Sequence, residues 1–187
     1  MALSSIEISE TNLIFDYTVI NNCPFPLYLL NSLFDPEAPA GLQLDSNIVY
    51  AQLAPGPILS LSKQLMPAPL GVDTAEAEIP FVSILESRWQ MTETLRLPLP
   101  IVQRYPSKPA EDIGTPATIP HFTFTLGYIV EDQPLALEEY LLPGGIRQLK
   151  AEYTVLSSRQ RLKRSAAVTG AVQVFIAGQS ARPGADH

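Results

Sequence analysis

The chain has one cysteine and two histidines among its 187 residues. A single thiol excludes an intrachain disulfide and any multi-cysteine metal site. His121 opens an apolar stretch and His187 is the last residue, a placement that disfavours a histidine-based metal centre. No G-x-x-x-x-G-K, G-x-G-x-x-G or G-x-S-x-G is present, which removes the phosphate-cradling and nucleophile-elbow signatures. The dense D-x-D-x-D-G calcium spacing is missing too. There is no N-x-Ser/Thr sequon, and no apolar run approaches the ~20 residues that span a bilayer. Met1 to Glu10 lacks a basic start, so no signal peptide is visible and a reducing, cytoplasmic setting is expected. No cofactor and no metal is implied.

Proline is abundant. Eighteen prolines run from Pro24 to Pro183 without bunching. A residue that cannot donate to a helix or a central ladder, scattered this way, favours short strands joined by many loops. Apolar residues make up 46% and charged residues 17%, enough for a sizeable core. The net charge of −7 is unevenly placed: residues 1–146 carry −12, and residues 147–164 carry +5.

Period-2 hydrophobicity dominates the pattern. Phe15, Tyr17 and Val19 share one face of the Leu13 to Ile20 run. Leu27 to Phe34 resumes a strand, and "APGP" at 54–57 reads as the turn of a hairpin between Ile48–Leu53 and Ile58–Ser62. In "WQMTETLRL" the residues Trp89, Met91, Leu95 and Leu97 point inward. In "HFTFTLGYIV" it is Phe122, Phe124, Leu126, Tyr128 and Val130, and in "VTGAVQVFI" it is Val168, Val172, Val174 and Ile176. Two segments compete as helices. Residues 134–145 fit a short helix entered at Asp132 and stopped at Gly144, and residues 146–164 carry both periods, with strand preferred. About nine strands separated by loops predict a two-sheet sandwich, and no repeat points to a propeller or solenoid.

The stretch "DYTVINNCPFPLYLLNSLFD" resembles the first hairpin of several immunoglobulin-like bacterial modules. "LPLPI" at 97–101 and "LGY" at 126–128 extend the resemblance to small uncharacterised bacterial immunoglobulin-like β-sandwich proteins, over roughly the first 130 residues. It differs from the similar start of LEA-type stress modules, whose "N-P-N" step is replaced by Cys23-Pro24. The resemblance implies a fold and no activity. The expected architecture is all-β: an antiparallel immunoglobulin-like two-sheet sandwich with long proline-rich loops and at most one short helix. Residues 1–178 form one domain, and 179–187 a disordered tail.

Cys23 with His121 as its base is the one arrangement open to a thiol-dependent hydrolase. Against it, cysteine is often a buried filler, and Asn21, Asn22 and the flanking prolines suit a bend. The acid pairs Glu111-Asp112, Glu131-Asp132 and Glu138-Glu139 are sequence neighbours. On a strand they point to opposite faces, so none is itself a catalytic couple. The basic segment stands out. If residues 159–164 are extended, Arg159, Arg161 and Lys163 project from one face as a stripe about 13 Å long, with Arg164 beside it. Stacking aromatics are distant and the body is acidic, which disfavours nucleic acid. The stripe suits an acidic protein partner or the acidic body of another copy, or it only guards a sheet edge. The expected function is therefore a non-catalytic binding or structural module acting through protein–protein contact, with edges and the 98–120 loops as docking places. The alternatives are the thiol hydrolase and a subunit of a larger bacterial or phage assembly.

Overall fold

The computed structural model describes residues 1–35, 43–67, 78–105, 114–142 and 145–176. The expected disordered tail, the Glu111-Asp112 pair and much of the proline-rich loop region lie outside these residues. Nearly all the regular structure is β, in one antiparallel and one mixed sheet that do not close on each other.

The smaller sheet has three strands in the order β1 (Ala2–Ile8), β2 (Asn12–Ile20) and β9 (Gln90–Pro98), all antiparallel. The larger sheet has nine strands. Its path runs β11 (Leu137–Leu142), β12 (Ile146–Ala151), β8 (Phe81–Leu85), β3 (Leu27–Ser32), β10 (Thr115–Val130), β7 (Ile58–Lys63) and β6 (Tyr50–Ala54). Off this path, β13 (Arg161–Arg164) and β14 (Val168–Ile176) also pair with β10. A two-stranded ribbon joins β4 (Phe34–Asp35) to β5 (Gln43–Leu44).

Strand β10 is the spine. One edge takes β14 along Thr115–Phe122 and then β13 along Thr125–Tyr128. The other edge takes β7 along His121–Leu126 and then β3 along Tyr128–Val130. The β7 pairing is parallel, which corrects the expectation of a purely antiparallel sandwich. The physical reason is connectivity: between β7 and β10 the chain passes through β8 and β9, so β10 re-enters beside β7 in the same direction.

The alternation seen in the sequence places the core. Leu13, Phe15, Tyr17 and Val19 of β2 and Leu95 and Leu97 of β9 meet Leu59, Leu61, Phe122, Phe124, Leu126, Val172 and Val174 between the sheets. Phe15 lies 5.6 Å from both Phe122 and Phe124, and Tyr17 4.8 Å from Phe124, centroid to centroid. Such contacts contribute about 0.5–1.5 kcal/mol each beyond area burial. Trp89 departs from its expected place and is 66% exposed. The last ladder pair is Ile20 with Gln90, so Trp89 lies just past the end of β9, where its carbonyl accepts the Asn21 N–H at 2.9 Å.

The far face of β10 has its own cover. Tyr28, Leu30, Val82 and Ile129 pack with Leu156 of the single described helix, α1 (Tyr153–Arg159). The expected helix over 134–145 is overturned, and the strand preferred over 146–164 holds at Ile146–Ala151 and Arg161–Arg164 but not between them. Residues 137–142 are strand, because Leu137 to Leu142 pairs in full with Ile146 to Ala151. Residues 153–159 are helix, because only a helical turn delivers Leu156 to the apolar patch that β3 and β10 leave open. Past the helix, Gln160 clamps the end of β7: the Leu65 N–H donates to its Oε1 at 2.7 Å, and its Nε2 donates to the Leu65 carbonyl at 3.1 Å.

Gly127 sits beneath that clamp, where β7 leaves β10 and β3 joins it. A Cβ there would lie 2.5 Å from Gln160 Oε1 and 3.1 Å from the Gln64 Cα. The second neighbour is backbone and cannot swing away. Gly170 offers a contrast, since its Cβ would meet only the tip of the Ile8 side chain. Gly127→Ala is expected to lower stability by about 1–3 kcal/mol in urea unfolding, and Gly170→Ala by distinctly less. Equal effects would mean that the close approach at Gly127 carries no constraint.

Candidate functional site

The opening bend belongs to Asn21. Its fully buried side chain donates from Nδ2 to the carbonyls of Phe25 at 2.9 Å, Leu85 at 3.0 Å and Glu86 at 3.1 Å. Its Oδ1 accepts the Cys23 N–H at 2.9 Å, an Asx turn that bends the chain between β2 and β3. Ser87 Oγ adds a hydrogen bond to the Cys23 carbonyl at 2.7 Å. The Cys23 side chain, half-buried, packs on the edge of the inter-sheet core.

The structure does not bring Cys23 and His121 together. Val130 of β10 pairs with Leu27, four residues after Cys23. His121 lies about 30 Å back along the same strand, at ~3.3 Å per residue. Four residues of chain reach at most about 14 Å. The His121 ring instead faces Thr169, with Nδ1 3.4 Å from Oγ1.

The basic segment is divided by the helix. Arg159 ends α1, and its Nη2 donates to Val130 O at 3.1 Å, Asp132 Oδ1 at 3.0 Å and Gln133 O at 3.3 Å. It fastens the chain after β10 and is not part of a stripe, which corrects that expectation. Arg164 donates from Nε and Nη2 to Thr123 Oγ1 at 3.3 and 3.1 Å. The side chains of Arg161 and Lys163 are exposed and make no hydrogen bond or ion pair among the described residues. Opposite Tyr128 and Leu126 in the ladder, they share one face of β13. Lys163 lies near enough to the Met1 amine to add to the lowering of its pKa, which is caused first by burial.

A second cluster went unread in the sequence. Lys63 is fully buried, and its Nζ is 2.7 Å from Glu93 Oε1, whose side chain is 18% exposed. Tyr17 donates its hydroxyl to Glu93 Oε2, and Asn31 Nδ2 donates to the same oxygen at 3.2 Å. Asn31 Oδ1 is buried with no hydrogen-bond partner among the described residues. The Lys63 ammonium also lies 5.8 Å from the Tyr17 ring centroid. Burial pushes the Lys63 pKa down, and the charge and hydrogen bond of Glu93 offset only part of that effect. Burial first, and then the Glu93 charge, hold the Tyr17 phenol protonated far above its ordinary range. A lysine sealed from solvent cannot meet a substrate, so this cluster is a polar latch joining β2 and β9 of one sheet to β3 and β7 of the other.

The signal for it was available. Lys63 continues the inward phase of Leu59 and Leu61, and Glu93 falls between Met91 and Leu95. Tyr17 follows Phe15, and Asn31 follows Leu27 and Leu29.

Elsewhere, a shallow depression of about 360 Å³ lies between the β11–β12 hairpin and the start of α1. Tyr140, Lys150 and Glu152 line it, and the Lys150 ammonium lies 5.4 Å from the Tyr140 ring centroid. Among the described residues no group of three or more His, Cys, Asp or Glu could hold a metal ion, and no helix is long and apolar enough to cross a membrane.

Removing one partner of a buried ion pair strands the other. Glu93→Ala leaves a sealed ammonium and is expected to cost about 3–5 kcal/mol in urea unfolding. Lys63→Met leaves a carboxylate that keeps two donors and some solvent, and should cost about half of that or less. The reverse order would show that Glu93 is the desolvated partner.

No family model, no curated protein and no solved structure matches this chain.

Proposed function

We propose that this protein is a non-catalytic binding module that takes an extended acidic segment of a partner protein along the open edge of β13. The observation that carries this reading is the state of that edge. All four residues of Arg161–Arg164 are exposed, and among the described residues nothing pairs with their outer side. An unpaired edge presents a row of backbone donors and acceptors, the usual template for strand addition. Arg161 and Lys163 add free positive charge to an otherwise acidic body, so attraction is local and directional. At physiological salt it extends about 8 Å.

The scaffold assigned to this role is an immunoglobulin-like sandwich in the broad sense. The two sheets packed about one core and the antiparallel β1–β2–β9 layer support that reading, while the parallel β7–β10 pair argues against a strict version. A cytoplasmic setting fits a chain with one free thiol and no sequon.

Titration with a fluorescent ten-residue peptide alternating glutamate and valine tests the proposal. Arg161→Glu/Lys163→Glu should weaken binding at least tenfold in low salt, an order of magnitude set by losing two charge contacts. The same peptide with proline in place of valine should fail to bind, because it cannot donate to a ladder. Binding that survives the charge reversal, or that tolerates the prolines, would contradict strand addition at β13.

A further inference from the structure

The large sheet has a second open edge. Strand β11 ends its path, and among the described residues its outer side is unpaired. Its sequence, Leu-Glu-Glu-Tyr-Leu-Leu, is the complement of Arg-Leu-Lys-Arg in β13. Leu141 is 73% exposed and Leu162 55% exposed, so each edge also offers apolar surface.

We infer that the acidic strand taken up by β13 is β11 of a second copy of this chain; the inference rests on the strand-addition reading above. Laid antiparallel, Glu138 faces Arg164, Glu139 faces Lys163, Tyr140 faces Leu162, and Leu141 covers the aliphatic stem of Arg161. Both faces of the new ladder then carry one charge pair and one contact involving an apolar side chain, the kind of cross-strand pairing that stabilises sheets. Present partners do not prevent it. Glu139 meets Arg147 at 3.3 Å with side chains 55% and 78% exposed, an ion pair of little strength. Among the described residues Glu138 only accepts the Tyr140 hydroxyl. Pairing of β13 with its own copy in the equivalent register sets Arg161 against Arg164, so the basic edge rejects itself.

The contact is heterologous, because β11 and β13 are different surfaces. It links copies head to tail, an open chain always keeping one free β11 edge at one end and one free β13 edge at the other, and a ring keeping none. The nine-stranded sheet of one protomer continues into that of the next. A four-residue ladder is far smaller than a standard interface, so association is weak and concentration-driven.

Sedimentation velocity from about 10 µM to about 1 mM, the range where a small interface associates, tests this. The wild-type weight-average sedimentation coefficient should rise steadily with concentration. Arg161→Glu/Lys163→Glu and Glu138→Lys/Glu139→Lys should each stay monomeric, with circular dichroism matching the wild type. Mixed in equal amounts, the two variants should associate again, since the unaltered β11 edge of one meets the unaltered β13 edge of the other and the two reversed edges are themselves of opposite charge. Wild-type protein that sediments as a monomer throughout, or a mixture that does not associate, overturns the inference. The acidic peptide separates the two ideas. If wild-type protein binds it yet stays monomeric, strand addition stands and the second copy is wrong; if it binds neither peptide nor copy, both fail.

Discussion

Strand β10 is the constraint on which the rest of the fold depends. Along its length it satisfies four other strands, two on each edge, and it contributes to cores on both faces. The changeover from β7 to β3 requires two chain segments to approach one point, and Gly127 is the residue there that lets Gln64 and Gln160 close in. A side chain at that point would push either the end of β7 or the start of β13 away from the ladder. The proposed binding edge therefore has its geometry set by the centre of the fold. Four residues are a short strand, but they are held by a ladder whose opposite side is already filled by β7 and β3.

The polar latch adds a different constraint. Two stacked sheets of mainly aliphatic and aromatic residues can slide or rotate relative to each other at small cost, because apolar contact is non-directional. An ion pair with one fully buried partner, tied to a tyrosine and an asparagine, allows one arrangement. Removing one member strands the other, so the latch specifies how the sheets meet more than it adds stability.

Much of this was legible in the sequence. The inward stripes of β2 and β10 and the Val172 and Val174 part of β14 follow directly from period-2 hydrophobicity, because each faces a single large core, whereas Ile176 at the end of β14 is exposed. The "APGP" turn also appears where expected, with Gly56 at a φ of 85°. The misreadings have specific causes. Residues 146–164 carry both periods since the chain there changes from strand to helix to strand, and only the tertiary patch that receives Leu156 decides where. Trp89 has the right phase for the core but lies beyond the last ladder pair. Lys63 and Glu93 were overlooked because charged residues in phase with an apolar stripe read as interruptions, whereas here the two meet each other beside Tyr17 and Asn31. The Arg159 stripe was broken by the carbonyls at the end of β10, which no local pattern reveals.

The central claim is that the outer edge of β13 is an open ladder awaiting a strand. Residue-resolved hydrogen–deuterium exchange by NMR tests this most directly. In dilute protein, the outward-facing amides of Arg161–Arg164 should exchange rapidly while their neighbours in β10 are protected. Addition of an acidic strand-forming peptide should slow those outward amides at least tenfold and leave the β1–β2–β9 layer unchanged. Outward amides already protected in dilute protein, or unaffected by the peptide, would contradict the account.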